Sequence, residues 1–521
     1  MNPSILSLIP PIVLFIIACI TGNILKAFAS GIAAALLIIA HANPILMIDL
    51  LLKQVYIYFT DLNVIMLFLF LIGIGSIISI LSTIQERVVR KERSKNQKRS
   101  FIKTARMGEY TSMLLSFLFS IDDYLSILTV GFLANQFAKK FVIPKERIAY
   151  FVHALSGPLV ILIPISSWAA EIVSQLYQAG VHANSTATTA IASDPLFLYA
   201  QSMGYNFYSI LTIFSVWFFV QSKIDMLPTS GHKTSALQST TQTHIPALDI
   251  AIPLVILLAS TFIGLLYTGD CFVFGGSNSI FTALSLNHST FYVLFISSFI
   301  ALVSLFFYEL KQENVRLFEV SSFVSGGFNL MKNAIALVSL ASIFSAFVRR
   351  DLMTGVYLAN TLLVYISHSF IPFAVFVTSL LVALATGTSW GTFALMIPLI
   401  IQMLTSAAGI TYASAAEQIP FLLPSLGAIF SGGVCGDHIS PFSETTVMTA
   451  TVTEISPLQH SKSQIIYALP AIISTTLLFL LIGIMPQVMK SLLINITVGC
   501  LLCLIFIFFV KYFVKRHANI N

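Results

Sequence analysis

The stretch from Ser431 to Thr451, SGGVCGDHISPFSETTVMTAT, sets Asp437, His438 and Glu444 among hydroxyl residues in a chain that is otherwise mostly apolar. Gly432, Gly433 and Gly436 hold a helix weakly, and Pro441 removes a backbone donor and clashes with the preceding turn. The spacing predicts a helix that stops and restarts. In lipid such an interruption survives only where protein or a water-filled cavity satisfies the freed backbone groups. A charge held there costs roughly 2.5–3.5 kcal/mol or more, which marks it as a functional group.

Composition identifies the solvent. The 521 residues are 57% hydrophobic and 9% charged, where a soluble domain carries about a quarter charged residues. The chain therefore reads as all-α, a polytopic integral membrane protein with about 12 transmembrane segments. Long apolar runs lie near residues 3–21, 24–41, 62–84, 203–221, 249–267, 290–308, 333–348, 464–484 and 491–510, and the intervals 109–172 and 352–450 hold more. They are continuous rather than alternating, which argues against an outer-membrane barrel. No Lys or Arg precedes the first run, so that segment is expected to be retained rather than cleaved. Cys500 and Cys503 form a CxxC inside Leu, Ile and Phe, and there they read as packing residues; no disulfide framework is implied.

The net charge of +6 does not point to nucleic acid, because the basic residues gather in loops. Residues 87–106 carry Arg87, Arg90, Lys91, Arg93, Lys95, Lys98, Arg99, Lys103 and Arg106 against Glu86 and Glu92. This bias marks a cytoplasmic loop, and Lys511, Lys515 and Arg516 place the C-terminus on the same side. Residues 109–138 are followed by a second basic cluster, Lys139, Lys140, Lys145 and Arg147. One crossing would put that cluster outside, so the segment is expected to be a re-entrant hairpin with Asp122 and Asp123 at its tip.

Further along, residues 146–172 are interrupted at Gly157-Pro158, Pro164 and Ser166-Ser167-Trp168, and Glu171 ends this segment at the outer face. Residues 222–247 form the longest polar linker. They divide a first transmembrane half, 1–221, from a second, 248–521. The second half repeats the order of breaks: Thr386 to Thr392 interrupts an apolar run as Ser120 to Ser126 does, and Ser431 to Pro441 follows the course of Ser156 to Ser167. The loop after the first-half break is basic and its counterpart, 405–417, has no Lys or Arg, as inverted repeats with broken helices predict. Arg349 and Arg350 fit that bias less well.

Broken helices near the midplane offer carboxylates, hydroxyls and freed carbonyls, the oxygen donors that a hard monovalent cation takes. Asp437, Ser440, Ser443, Glu444 and Thr445 form one candidate cluster, and Asp122, Asp123 and Ser126 another. Thr388, Ser389 and Ser167 could complete either. A crowded carboxyl can hold a proton or Na⁺, and with alternating access that competition exchanges one for the other. His438 and His153 are candidates for proton relay or pH sensing, beside the simpler role of satisfied packing histidines. Trp168 and Trp390 each follow a serine at a break, where they could wedge unwound backbone; Pro441 and Thr446 support the second break.

The segments FSIDDYLSILTVG, ERIAYFVHALSGPLV with ISSWAAEI, TGTSWGTFALMIPL and above all GVCGDHISPFSETTVMTATVT followed by QIIYALP resemble the signature segments of the NhaC-type Na⁺/H⁺ antiporter family. The resemblance runs in order over residues 60–485 and implies a secondary transporter of the bacterial inner membrane that expels Na⁺ or Li⁺ against inward H⁺. It carries over Asp122, Asp123, Thr388, Ser389, Trp390, Asp437, His438, Ser440, Pro441, Ser443, Thr445 and Thr446. Two positions depart from the family: His153 stands where an Asp is usual, and Ser443-Glu444-Thr445-Thr446 replaces SDTT. The implied partners are membrane lipid and monovalent cations, not nucleic acid, with a homo-oligomer left open; no cofactor is implied beyond the transported ions.

A carrier of a small organic acid or amino acid on the same scaffold is the alternative. It would favour Lys or Arg near the breaks, and residues 380–450 contain neither. An enzyme is not expected: no HExxH or GxSxG occurs, and Cys435, Asp437 and His438 are the only compact candidates.

Overall fold

Nearly every apolar run becomes a helix, and several helix starts carry a side chain that satisfies free backbone amides. α1 (Ile9–Thr21) leads to α2 (Ile24–Ile39), whose cap Asn23 accepts from the Lys26 amide, and to α3 (Pro44–Thr60), capped by Asn43. Then come α4 (Leu62–Glu92), α5 (Ala105–Leu118), α6 (Asp123–Phe141), α7 (Lys145–Val160) and α8 (Ser167–Gln178). Two short parallel strands, β1 (Val181–His182) and β2 (Ile191–Ala192), precede α9 (Pro195–Met203) and α10 (Phe207–Ser222). The rest of the chain forms α11 (Ala247–Thr268), α12 (Ile280–Ser285), α13 (Thr290–Lys311), α14 (Val320–Ala346), α15 (Thr354–Leu362), α16 (Ile371–Thr386) and α17 (Ser389–Ala407). It ends with α18 (Leu422–Ile439), α19 (Glu444–Thr453), α20 (Pro457–Ile484) and α21 (Leu492–Ala518). This computed structural model describes all residues except 1–3, 22, 93–103, 121, 165, 184–189, 228–246, 286–288, 363–366, 410–414, 442, 488, 490 and 519–521. Most of the expected linker at 222–247, and residues 93–103 of the basic loop, fall outside the described residues.

The protein is a multi-pass membrane protein. Among the described residues seven helices are long and apolar enough to cross a membrane, eight if the bent pair α9–α10 is one span, and three further apolar helices are shorter. The larger sequence count included segments that do not cross alone: α5 and α6 form a hairpin, and α7, α8, α18 and α19 are halves of interrupted spans. α3 has no counterpart among the apolar runs, because Asp49 and Lys53, paired at 2.7 Å, dilute its hydropathy.

Polar contacts separate two faces. On the basic one, Lys139 and Lys145 meet Glu454 at 2.5 and 2.9 Å, Gln459 donates to Glu146 at 2.7 Å, and Arg106 donates to the Gln221 carbonyl at 2.6 Å. On the other, Asn63 donates to Tyr177 at 3.0 Å and Thr290 bonds Asp194. Arg349 and Arg350 stand at this sparsely charged face, each held: Arg349 reaches the Ala179 carbonyl at 3.5 Å and Arg350 bonds Gln54.

Between the faces the chain runs one course twice, in opposite senses. The α5–α6 hairpin enters from the basic face, α5 ending at Leu118 and α6 starting at Asp123; α7 rises from the same face and ends at Val160, and α8, from Ser167, completes the crossing. The α16–α17 hairpin turns at residues 387–388; α18 enters from the other face and ends at Ile439, and α19, from Glu444, ends at the basic face. α19 packs on α6 and α8 packs on α17, so each hairpin holds the final helix of the other repeat.

The breaks sit later than the glycines suggest. α18 is continuous through Gly432, Gly433 and Gly436, and interruption begins at Ser440 beside Pro441. Those glycines serve close approach instead: a Cβ at Gly432 would lie 2.6 Å from the Phe376 carbonyl oxygen, and one at Gly436 2.3 Å from that of Leu380. Without a hydrophobic drive between helices in lipid, small residues let backbones pack tightly, here α18 on α16. Likewise α7 passes through Gly157-Pro158 and stops only at Val160.

Candidate functional site

Four helices, α6, α8, α17 and α19, begin at the internal breaks, and their N-termini present positive dipole ends to the space between the repeats. Three buried carboxylates answer them. Asp123 opens the first turn of α6 with Asp122 just before it. Across the break in α7–α8, Ser167 Oγ donates to Asp122 Oδ2 at 2.9 Å and Trp168 Nε1 donates to Asp123 Oδ1 at 3.0 Å. Ser166 caps α8, accepting from the Ala169 amide at 3.1 Å while donating to the Val160 carbonyl at 2.9 Å, so the break is held from both sides. Ser126, one turn into α6, is buried with no partner for Oγ.

Asp437 sits at the end of α18. Ser443 occupies the cap position of α19 yet makes no capping bond; its hydroxyl donates to Asp437 Oδ1 at 2.8 Å. Thr445 Oγ1 donates to Asp437 Oδ2, also at 2.8 Å, and lies 2.7 Å from Ser443 Oγ. The oxygens are brought together by the break itself, since a continuous helix would carry residues 437 and 443 to different faces. Thr446 Oγ1 donates to the Ser440 carbonyl at 2.9 Å, tying the two sides of the Pro441 turn.

Behind this cluster stands a chain of histidines. His153 Nε2 lies 3.0 Å from Thr445 Oγ1, and His153 Nδ1 lies 2.9 Å from His460 Nε2. Because Thr445 donates to Asp437, it can accept from His153 Nε2–H, which leaves His153 Nδ1 to accept from His460 Nε2–H. Every donor in the chain then points toward Asp437. His460 lies in the first turn of α20, at the basic face, and its Nδ1 is buried without a partner. His438 stacks obliquely against His153, ring centroids 4.6 Å apart; its Nδ1 is 3.2 Å from Tyr208 OH and its Nε2 has no partner.

The two clusters share a neighbourhood. The position of a Cβ at Gly157 is 3.4 Å from both His438 Nε2 and the Trp168 ring, so Gly157 lets those side chains face each other across α7. Tyr124, next to Asp123, donates to Glu444 at 2.7 Å. The other sequence candidates sit around this centre. Ser440 Oγ donates to the Leu384 carbonyl at 2.9 Å, Ser389 Oγ to the Gly433 carbonyl at 3.1 Å, and Thr388 caps α17 by accepting from the Gly391 amide at 3.3 Å. Glu444 is exposed at the start of α19, and Trp390 is half-buried between apolar clusters. Among the described residues no group of three or more His, Cys, Asp and Glu side chains is placed to hold a metal. The groups around Asp122, Asp123 and Asp437 are carboxylate and hydroxyl oxygens, the donor type that hard cations take.

Sequence reasoning missed His460 and Tyr208. His460 lies in the first turn of α20 and Tyr208 just after the α9–α10 bend, and packing of α20 and α10 against α7 and α18 brings them in. It also placed Glu171 at a segment end on the outer face, whereas the structure buries it to 1% exposure inside α8.

The family model for the Na⁺/H⁺ antiporter family matches residues 159–484. An uncharacterised protein of Haemophilus influenzae is 26% identical over 92% of this chain and 91% of its own length. The malate-2H⁺/Na⁺-lactate antiporter of Bacillus subtilis is 27% identical over 40% of this chain and 42% of that protein. In fold, the crystal structure of the YdaH transporter of Alcanivorax borkumensis matches with a TM-score of 0.53 at 15% identity, covering 85% of this chain and 88% of that one.

Proposed function

The chain belongs to the Na⁺/H⁺ antiporter family, and on that premise we propose that it is a secondary transporter exchanging Na⁺, and Li⁺ where present, for H⁺ across the bacterial inner membrane. The observation that carries this reading is the hydrogen-bonded line Asp437–Thr445–His153–His460, running from a buried carboxylate to the basic face. With the basic face cytoplasmic, a proton reaching Asp437 from outside meets the line in the opposite polarity, Thr445 donating to His153 Nε2 and His153 Nδ1–H to His460 Nε2. Asp437 then gives its proton to Thr445 as Thr445 gives its own to His153 Nε2 and His153 gives its Nδ1 proton to His460, whose other ring proton leaves toward the basic face; every donor is left pointing toward Asp437. Asp437 with the Ser443 and Thr445 oxygens, and Asp122 and Asp123 with Ser126, then accept the cation from the cytoplasmic side. Proton and cation cannot both neutralise one carboxylate, so loading one releases the other. The two halves joined through residues 222–247 would rock to expose the centre to each side in turn. No cofactor beyond the transported ions enters this scheme.

The second reading keeps the scaffold and changes the cargo to a small carboxylate such as malate or lactate. Its support is the name borne by the Bacillus relative; against it stands the absence of Lys or Arg from residues 380–450. Purified protein in proteoliposomes with an imposed pH gradient separates them. The first reading expects Na⁺ or Li⁺ alone to dissipate the gradient, with the response lost in Asp437→Asn. A gradient that responds to malate or lactate and not to Na⁺ alone would replace it with the second.

A further inference from the structure

Glu171 lies four residues beyond Ser167 on α8, roughly 6 Å further from the break, and the exchange scheme above makes no use of it. Its Oε1 accepts from Gln175 Nε2 at 3.1 Å, while its Oε2 has no partner. The Gln175 amide has to turn its NH₂ toward the carboxylate, so its carbonyl Oε1 is left over as an acceptor, also buried and unpartnered. α3 and α14 bring more oxygen to this part of the fold: Tyr58 OH, Ser342 Oγ and Ser345 Oγ are all buried, with Tyr58 and Ser342 within reach of each other. Tyr58 lies beside Ser339 and Ser342 and within the field of the Glu171 charge. α14 packs on both α8 and α3, which closes the three helices around the group. Among the described residues no ion pair reaches Glu171.

Buried polar atoms are almost always partnered, and a buried carboxylate more strictly than most. Here the atoms with fixed roles, Glu171 Oε2 and Gln175 Oε1, are both acceptors, and the neighbours are hydroxyls that can turn either way. With Glu171 ionised, the cluster lacks one positive charge. We propose that Glu171, Gln175, Tyr58 and Ser342 form a second, monovalent-cation site, of the Na⁺ size class, between the central carboxylates and the face opposite the basic one. A single carboxylate neutralises one charge, which disfavours a divalent ion. The position supports a way-station on the route out: six residues further along α8, Tyr177 already meets Asn63 at that face.

This inference rests on the cation-exchange reading, and equilibrium binding of radioactive Na⁺ to the purified full chain tests the two apart. Glu171→Gln, an isosteric change, is expected to lower the number of bound Na⁺ by one per chain while central binding persists. Asp437→Asn is expected to remove central Na⁺ and leave the Glu171 ion. Should Glu171→Gln fail to fold, Tyr58→Phe with Ser342→Ala removes only neutral oxygens and is expected to weaken one Na⁺ by roughly tenfold. If wild type binds Na⁺ and Glu171→Gln, or the double variant, binds it with the same number and affinity, the second site is overturned and a proton or water satisfies Glu171. If wild type binds no Na⁺ at all, the exchange reading falls and takes this site with it.

Discussion

The two interrupted spans, α7–α8 and α18–α19, follow one design and place their charge at opposite positions. In the first repeat the carboxylates are on the hairpin tip, Asp122 and Asp123, and the broken span answers with Ser167 and Trp168. In the second, the hairpin tip is Gly387-Thr388-Ser389, without charge, and the carboxylate is on the broken span, as Asp437. From Asp437 a hydrogen-bonded line continues through Thr445 into His153 and His460. A repeated scaffold fixes where helices stop; which stop carries the acid, and what stands behind it, is free to differ. In the proposed exchange both repeats supply oxygens to the cation, and the second alone carries the proton line.

The sharpest way to break this comparison is Asp437→Asn, expected to abolish Na⁺-driven proton flux in proteoliposomes with the thermal transition retained. An equal loss of flux on changing Asp122 alone, with Asp437→Asn still active, would reverse the assignment of the repeats. His460→Gln should come next, slowing proton-coupled exchange by roughly 100-fold, near the low end for a lost proton-transfer group. A flux measurement across pH checks it, since a purely structural histidine would leave the shape of the pH profile unchanged. Trp168→Phe removes the bond to Asp123 and is expected to weaken Na⁺ by roughly tenfold, in line with about 1.5–3 kcal/mol for a hydrogen bond to a charged group; Na⁺ titration of the exchange rate reads it.

Smaller effects test the scaffold. Gly436→Ala drives a Cβ toward the Leu380 carbonyl and should destabilise α16–α18 packing by about 1–3 kcal/mol, read as a lowered midpoint in thermal unfolding. Smallest is Glu454→Gln. The hydrogen bond from Lys139, followed by that from Lys145, pulls the Glu454 carboxyl down to about 2. A depressed value means that the clamp contributes in full above the ordinary carboxyl value near 4.3 and is lost as pH falls toward 2. Between pH 5 and 9 Glu454→Gln should therefore shift the exchange rate by a constant, small factor and leave its pH profile in place.

Much of this architecture is readable in the sequence because lipid forces it. Spans must be apolar and continuous, and α10, α11 and α13 begin and end close to the runs that announce them, while α20 starts seven residues before its run and α21 ends eight residues after its own. The re-entrant α5–α6 hairpin follows from charge alone, since two basic clusters flank it. The breaks are legible by kind and not by place: Gly432 and Gly436 look like a fracture and are a packing surface, because a missing side chain weakens a lone helix and strengthens a crowded pair. Asp122, Asp123 and Asp437 stand out as acids in lipid. His460 does not, because its contact with His153 spans 307 residues and no local pattern encodes it.

The claim on which the rest depends is that cation and proton displace each other at one set of buried carboxylates. Calorimetric titration of the purified protein with Na⁺, in buffers of different ionisation enthalpy, counts protons released per cation bound. The account predicts release in wild type and loss of that release in Asp437→Asn. Na⁺ binding with no proton release in wild type would contradict it.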